Sequence, residues 1–151
     1  MEFEIVELEE KIVAGIGIRT TNEAGKAMQD IGALWQKFFA EGIYDKIEKK
    51  VNGKTIGLYT NYEGDCTKPY YFMAGCEINK KPENGKIIVI PKGKYAKFTI
   101  TGDVQNSVGE AWQKIWQMDL KRKYSCDFEE YQNNSEDMQK QEIHIYIALE
   151  D

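Results

Sequence analysis

A glutamate alternating with aromatic residues is the stretch of this sequence best suited to chemistry. Asp127-Phe128-Glu129-Glu130-Tyr131 is followed, after a polar loop, by Glu142-Ile143-His144-Ile145-Tyr146-Ile147-Ala148-Leu149. Successive side chains of a strand point to opposite faces. In the second strand Ile143, Ile145, Ile147 and Leu149 share one face, and His144, Tyr146 and Ala148 the other. If Phe128 joins the isoleucines, Glu129 and Tyr131 join His144 and Tyr146, away from the main apolar stripe. A half-enclosed carboxylate among rings suits a flat organic cation: opposite charge for the centre, aromatic faces for the rest. The same groups could do acid–base work, with Glu129 as a base on water and Tyr131, Tyr146 or His144 as donor. The plainer reading is a solvated edge hairpin whose acids confer solubility.

Other chemistries find less support. The three cysteines, Cys66, Cys76 and Cys126, are far apart and form no CxxC pair, and a single histidine cannot complete a usual zinc set. No metal and no cofactor are expected. Free thiols fit a reducing, cytoplasmic setting. A nucleophile made of Cys126 and His144 is the weakest option. The net charge of −5 argues against whole-chain attraction to nucleic acid. The acidic start Met1-Glu2-Phe3-Glu4 has no apolar leader, and no apolar run reaches the roughly 18 residues of a membrane span.

The elements that must position these residues follow from periodicity. Apolar alternation marks strands over 3–8, 11–20, 55–62, 70–78, 86–90 and 94–101, besides the two of the closing hairpin. Gly15 and Gly17 sit inside the second strand, which marks the close approach of a backbone or a ligand. Met28, Ile31, Trp35, Phe38 and Phe39 recur at helical spacing over 24–41, and Val104, Val108, Ala111, Trp112, Ile115, Trp116 and Leu120 do so over 104–121. Core packing is the default for Trp35, Phe39 and Trp112. Lining a pocket is the sharper alternative.

The order strand-helix-strand-strand occurs twice. Ala14-Gly15-Ile16-Gly17-Ile18 leads to a helix with Leu34-Trp35-Gln36-Lys37-Phe38, and Ala96-Lys97-Phe98-Thr99-Ile100 leads to one with Ala111-Trp112-Gln113-Lys114-Ile115. Pseudo-repeats of about 3–78 and 86–150 within one domain, 1–151, are expected. The expected fold is α+β: duplicated β-α-β-β (SHS2-like) halves, a curved antiparallel sheet, two long helices on one side, and a central ligand cleft between the halves.

The sequence resembles the GyrI-like, or effector-binding, domain, found at the C-terminus of some bacterial AraC-type and multidrug-responsive transcription activators and also alone. The resemblance rests on Val13-Ala14-Gly15, Ile90-Pro91-Lys92-Gly93-Lys94-Tyr95-Ala96, Trp112 to Trp116, Asp127-Phe128-Glu129-Glu130-Tyr131 and Ile145-Tyr146-Ile147-Ala148. It implies a pocket for amphipathic, often cationic, organic molecules, with the pocket carboxylate at Glu129 and a variable position at Glu130. Ala148 departs from the family, where proline is common.

Three functions stay open. The first is a stand-alone module that senses or sequesters a small cationic, aromatic ligand, held by Glu129 and Tyr131 with walls from Trp35, Phe39, Tyr59, Tyr71, Met73, Trp112 and Tyr146. The second, an enzyme, is less favoured than a binder; it would be a hydrolase of reactive small molecules using Glu129, Tyr131 and Tyr146. The third is a gyrase-inhibitor-like module that binds a protein partner. With the resemblance filling the whole chain, neither a nucleic acid nor a membrane is expected as a partner.

Overall fold

Only Glu9 and Glu10 separate strand β1 (Glu4–Leu8) from β2 (Lys11–Thr20), and only Pro91 and Lys92 separate β5 (Lys86–Ile90) from β6 (Gly93–Gly102). With β3 (Thr55–Thr60), β4 (Tyr70–Ile78), β7 (Cys126–Tyr131) and β8 (Gln141–Ala148) they form one antiparallel sheet in the order β1-β6-β8-β7-β3-β4-β2-β5. Thus β1 is one edge of the sheet, and β2, two residues further along the chain, lies next to the other edge. Three Cα steps reach at most about 11 Å. The two ends of the sheet must therefore converge at these links, so the sheet is strongly curled. The computed structural model describes residues 1–64, 67–82 and 85–151, with the side chain of Gln105 excepted; Cys66 lies outside the described residues.

The order reads the same from both ends once β1 is matched with β5, β2 with β6, β3 with β7 and β4 with β8. This is the duplicated α+β architecture with a curved antiparallel sheet that the repeat anticipates. One feature goes beyond it: each half lends its first strand to the other. β1 pairs with β6, Glu4 opposite Lys97 through Leu8 opposite Gly93, and β5 pairs with β2. The halves meet at the β3–β7 seam, where Thr55 faces Tyr131 and Gly57 faces Glu129.

Curling buries the inner face of the sheet without any helix. Val13, Ile56, Leu58, Met73, Ile90, Tyr95, Phe128 and Tyr146 form a core there, drawn from seven strands, and from all eight once Val6 and Leu8 of β1 are counted with it. The rings of Phe128 and Tyr146 stack with centroids 4.6 Å apart. The Pro-x-Gly-x-Tyr element closes the β5–β6 link: Tyr95 is buried in this core and its hydroxyl donates to the Pro91 carbonyl at 2.6 Å.

This inner core corrects the assignment of faces in the closing hairpin. Phe128 stands opposite Tyr146, Glu129 opposite Ile145, and Tyr131 opposite Ile143. Glu129 and Tyr131 therefore share the isoleucine face, and Phe128 lies on the other. Both faces are apolar, so hydrophobicity could not say which one Phe128 occupies, and a shift of one residue exchanges the faces.

Two helices cover the outer face, each over its own half. On α1 (Lys26–Ala40), Ala27, Leu34 and Phe38 pack on Tyr70, Phe72, Ala74 and Cys76. After a short α2 (Ile43–Lys46), the helix α3 (Val104–Trp116) packs Ala111, Trp112 and Ile115 on Phe98, Ile143, Ile145 and Ile147. Asp103 caps α3, its carboxylate accepting from the Asn106 N–H at 3.1 Å. The helix ends five residues sooner than its apolar spacing suggests. Beyond it Met118 and Leu120 stay against the core while the chain turns to bridge Arg122 to Leu149.

The inner face also explains the glycines of β2. A Cβ on Gly15 would lie 2.0 Å from the Ala74 carbonyl oxygen, and one on its partner Gly75 would lie 2.2 Å from that of Ala14. The two backbones touch because neither residue carries a side chain. A Cβ on Gly17 would occupy the place of the Tyr71 hydroxyl, 2.0 Å away.

Candidate functional site

Glu129 is built into the floor of a cleft between α1 and α3. Strand alternation along β7 sends Phe128 and Glu130 inward and Glu129 outward, under the helices. There the side chain is 1% exposed. Its Oε1 accepts from the Tyr59 hydroxyl and from the Trp112 indole N–H, each at 2.6 Å, and its Oε2 accepts from the Tyr131 hydroxyl at 2.5 Å. All three donors are neutral. Among the described residues no lysine, arginine or histidine nitrogen pairs with this carboxylate, whereas buried Asp127, two residues away, is paired with Arg122 at 2.8 Å.

Burial raises the Glu129 carboxyl above its ordinary range, and the hydrogen bonds from Tyr131, Tyr59 and Trp112 only partly oppose this. Tyr59 and Tyr131 are held well above the usual tyrosine range, first by burial and then by the adjacent carboxylate. Both phenols thus remain donors. The arrangement holds a carboxylate ready to be charged, but it supplies no positive partner for it.

Gly57 makes the room. It stands opposite Glu129 across the seam, and a Cβ there would lie 3.1 Å from Oε2 and 3.0 Å from the Phe72 ring. The signal for it was a glycine inside an apolar strand, Thr55-Ile56-Gly57-Leu58-Tyr59.

The cleft encloses about 810 Å³. Trp35 and Phe39 on α1 form one wall; their rings stack with centroids 5.9 Å apart, and Trp35 meets the edge of Tyr131 at 5.5 Å. Trp112 and Val108 on α3 form the other, and Trp112 lies 5.0 Å from Tyr59. The mouth is apolar as well: Met28, Phe39, Trp116 and Met138 line it and are all exposed.

Of the residues singled out from the sequence, Glu129, Tyr131, Trp35, Phe39, Tyr59 and Trp112 meet in this cleft. Tyr71, Met73 and Tyr146 do not. Met73 and Tyr146 belong to the inner core, and Tyr71 shares their face of the sheet, with the Lys86 ammonium 4.2 Å above its ring. A catalytic set of Glu129, Tyr131 and Tyr146 is therefore not assembled. His144 is on the inner face too, with Nε2 2.6 Å from Glu142. Arg122, which no sequence motif marked, lines the cleft beside Trp112. Among the described residues no cluster of three metal-ligating groups occurs, and no helix is long and apolar enough to cross a membrane.

Comparison with known proteins adds the following. A model of the integron-associated effector binding proteins matches residues 4–149. The Bacillus subtilis (strain 168) protein YobU, named as a candidate transcriptional regulator, is 30% identical over 155 residues, covering 96% of each chain. An integron cassette protein from the mobile metagenome of Vibrio cholerae has 30% identity and a TM-score of 0.77, covering 98% of this chain and 95% of its own. SAV2435, solved with tetraphenylphosphonium bound, superposes with a TM-score of 0.82 at 22% identity, over 99% of this chain and 94% of its own. At that identity the likeness speaks for the fold alone.

Proposed function

The chain belongs to the integron-associated effector binding protein family, relatives of the ligand-binding domains of transcription regulators, and on that premise we propose that its cleft binds a bulky, aromatic organic cation with Glu129 as counter-charge. One observation carries the reading: a carboxylate 1% exposed, held by three neutral donors and by no cation among the described residues. A buried charge without an opposite partner is costly. A cation entering the cleft supplies that partner, and each ring it covers contributes about 0.5–2 kcal/mol. An anion would meet a buried like charge instead. The aromatic walls select for size and flatness and leave identity open, as suits a sensor or a sequestering protein. The reading takes residues 1–151 as one ligand-binding unit with pseudo-repeats of about 3–78 and 86–150.

The test is calorimetric titration with tetraphenylphosphonium, the compound bound by SAV2435, and with a neutral tetraphenyl compound of the same shape. Wild type binds the cation and not its neutral counterpart. Glu129→Gln loses most of that affinity, whereas Glu130→Gln, whose side chain is on the inner face, keeps it. Equal losses in the two variants, or equal binding of the two compounds, would refute the assignment. Mass spectrometry of the mixtures separates a binder from a hydrolase, because a binder returns the compound intact.

A further inference from the structure

Two helix glycines, Gly32 and Gly109, are unexplained by the packing of the free chain. They lie within the regular helices α1 and α3, and both are exposed. Glycine is among the least favourable residues for a helix interior. At Gly15, Gly17 and Gly57 a neighbour excludes a side chain, whereas a Cβ on Gly32 or Gly109 would meet no described atom within 4 Å. The open space beside both is the cleft. Along α1, Met28, Gly32, Trp35 and Phe39 recur at steps of four, three and four, and all of them line it. Along α3, Gly109, Trp112 and Trp116 recur at steps of three and four, and line it too. The sheet is met by other residues, Leu34 and Phe38 of α1 and Ala111 and Ile115 of α3.

Both helices thus present one line to the cleft: a glycine, a tryptophan three residues on, and an aromatic residue four further. The surroundings of Glu129 are two-sided as well. Trp35 meets Tyr131 at 5.5 Å and Trp112 meets Tyr59 at 5.0 Å. These two tyrosines donate to opposite oxygens of the carboxylate, Tyr131 to Oε2 and Tyr59 to Oε1. The other charged residues lining the cleft are engaged elsewhere: Asp103 caps α3, and Arg122 is paired with Asp127. We infer that Gly32 and Gly109 are two seats for the ligand, each a stretch of bare helix backbone on which a flat ring lies beside the tryptophan, and that the ligand class is a cation with aromatic arms on both sides of its charge. A ring comes down on helix backbone only where no Cβ intervenes. The inference rests on the cation-binding reading above and deepens it. Glu129 fixes the charge of the ligand, and the paired glycines fix the shape around that charge.

The test is calorimetric titration with dibenzyldimethylammonium, which has two arms, and benzyltrimethylammonium, which has one. Wild type binds the two-armed cation about 10- to 100-fold more tightly, the range expected from burying one further ring. Gly32→Leu and Gly109→Leu each fill one seat. In either variant the two-armed compound loses that advantage. The one-armed compound uses the seat that remains and weakens by no more than about twofold, the share of seats lost. The double variant weakens both compounds by at least about tenfold. Leucine is a good helix former, so the urea midpoint of each single variant is at or above that of wild type. Equal binding of the two compounds by wild type, a ratio that survives either single variant, a one-armed compound abolished by one single variant, or a midpoint lowered by leucine overturns the inference. Glu129→Gln separates the two readings. If both compounds bind in a Glu129-dependent way and only the ratio fails, the cation reading stands and the seats fall. If neither compound binds, the seats fall, and the tetraphenylphosphonium titration decides the cation reading by itself.

Discussion

Removing the Tyr59 hydroxyl tests the electrostatics of the cleft with the least disturbance to its shape. The ring of Tyr59 is held by Phe72 at 4.9 Å, Trp112 at 5.0 Å and Tyr70 at 5.6 Å, and Tyr59→Phe keeps all three contacts. What disappears is one of two donors to Oε1 of Glu129, at 2.6 Å. A hydrogen bond to a charged group is worth about 1.5–3 kcal/mol, and one pKa unit corresponds to about 1.4 kcal/mol. The donor favours the charged form, so its loss raises further a carboxyl that burial has already raised. A cation and a proton compete for the same carboxylate. Affinity for tetraphenylphosphonium is therefore level above the carboxyl pKa and falls about tenfold per pH unit below it. Titrations across the pH range give the break point, which in Tyr59→Phe lies at higher pH; below both break points the variant binds about 10- to 100-fold more weakly than wild type, the ratio expected of one hydrogen bond to a charged group. The stability of the free protein carries the same sign. Glu129 binds its proton more tightly folded than unfolded, so its contribution is full below the ordinary glutamate range and is lost as pH rises through the raised folded value. In Tyr59→Phe that loss continues to higher pH. A break point that coincides with wild type would mean that the Tyr59 hydroxyl does not stabilise the charge, and the account of the cleft would be wrong at its centre.

Three further outcomes follow from the geometry. Gly57→Ala places a methyl 3.1 Å from Oε2 of Glu129 and 3.0 Å from Phe72; the carboxylate must shift, and cation affinity falls in calorimetry. Its unfolding free energy changes by less than about 1 kcal/mol, because the entropy gained by replacing glycine offsets the crowding. Gly15→Ala meets backbone, a Cβ 2.0 Å from the Ala74 oxygen, and urea unfolding should register a loss of more than about 3 kcal/mol. Tyr146→Phe removes a hydroxyl from the inner face, and cation affinity stays at the wild-type value; a loss comparable to that of Tyr59→Phe would contradict the separation of the two faces.

The repeat was legible because it is written in element order and in two spaced tryptophans, Trp35 and Trp112, which need no knowledge of which strand pairs with which. The exchange of β1 and β5 was not. Strand pairing is a long-range choice, and the local sequence of Glu4–Leu8 fits either edge. Alternation was enough to put Glu129 with Tyr131 and apart from Phe128, because that pattern has a fixed period of two. It could not say which set faces the helices. That requires one face to be wet, and here the curl buries the inner face while the helices cover the outer one.

That double burial also explains which residues went unread. Tyr71, Met73 and Tyr146 have the composition of a ligand wall, and the inner face uses them as core. Gly57 and Arg122 have no such composition, yet one opens space for the carboxylate and the other fixes the far side of Trp112. A binding cleft needs room and a charge that the fold leaves without a partner, and neither is a residue type. Room appears in sequence only as a missing side chain, as at Gly57. An unpartnered charge appears only when every neighbour is known, as it is for Glu129 once Tyr59, Trp112 and Tyr131 surround it. The motif could point to the carboxylate. Only the packing distinguishes it from Asp127, which is as deeply buried, two residues away, and already neutralised by Arg122.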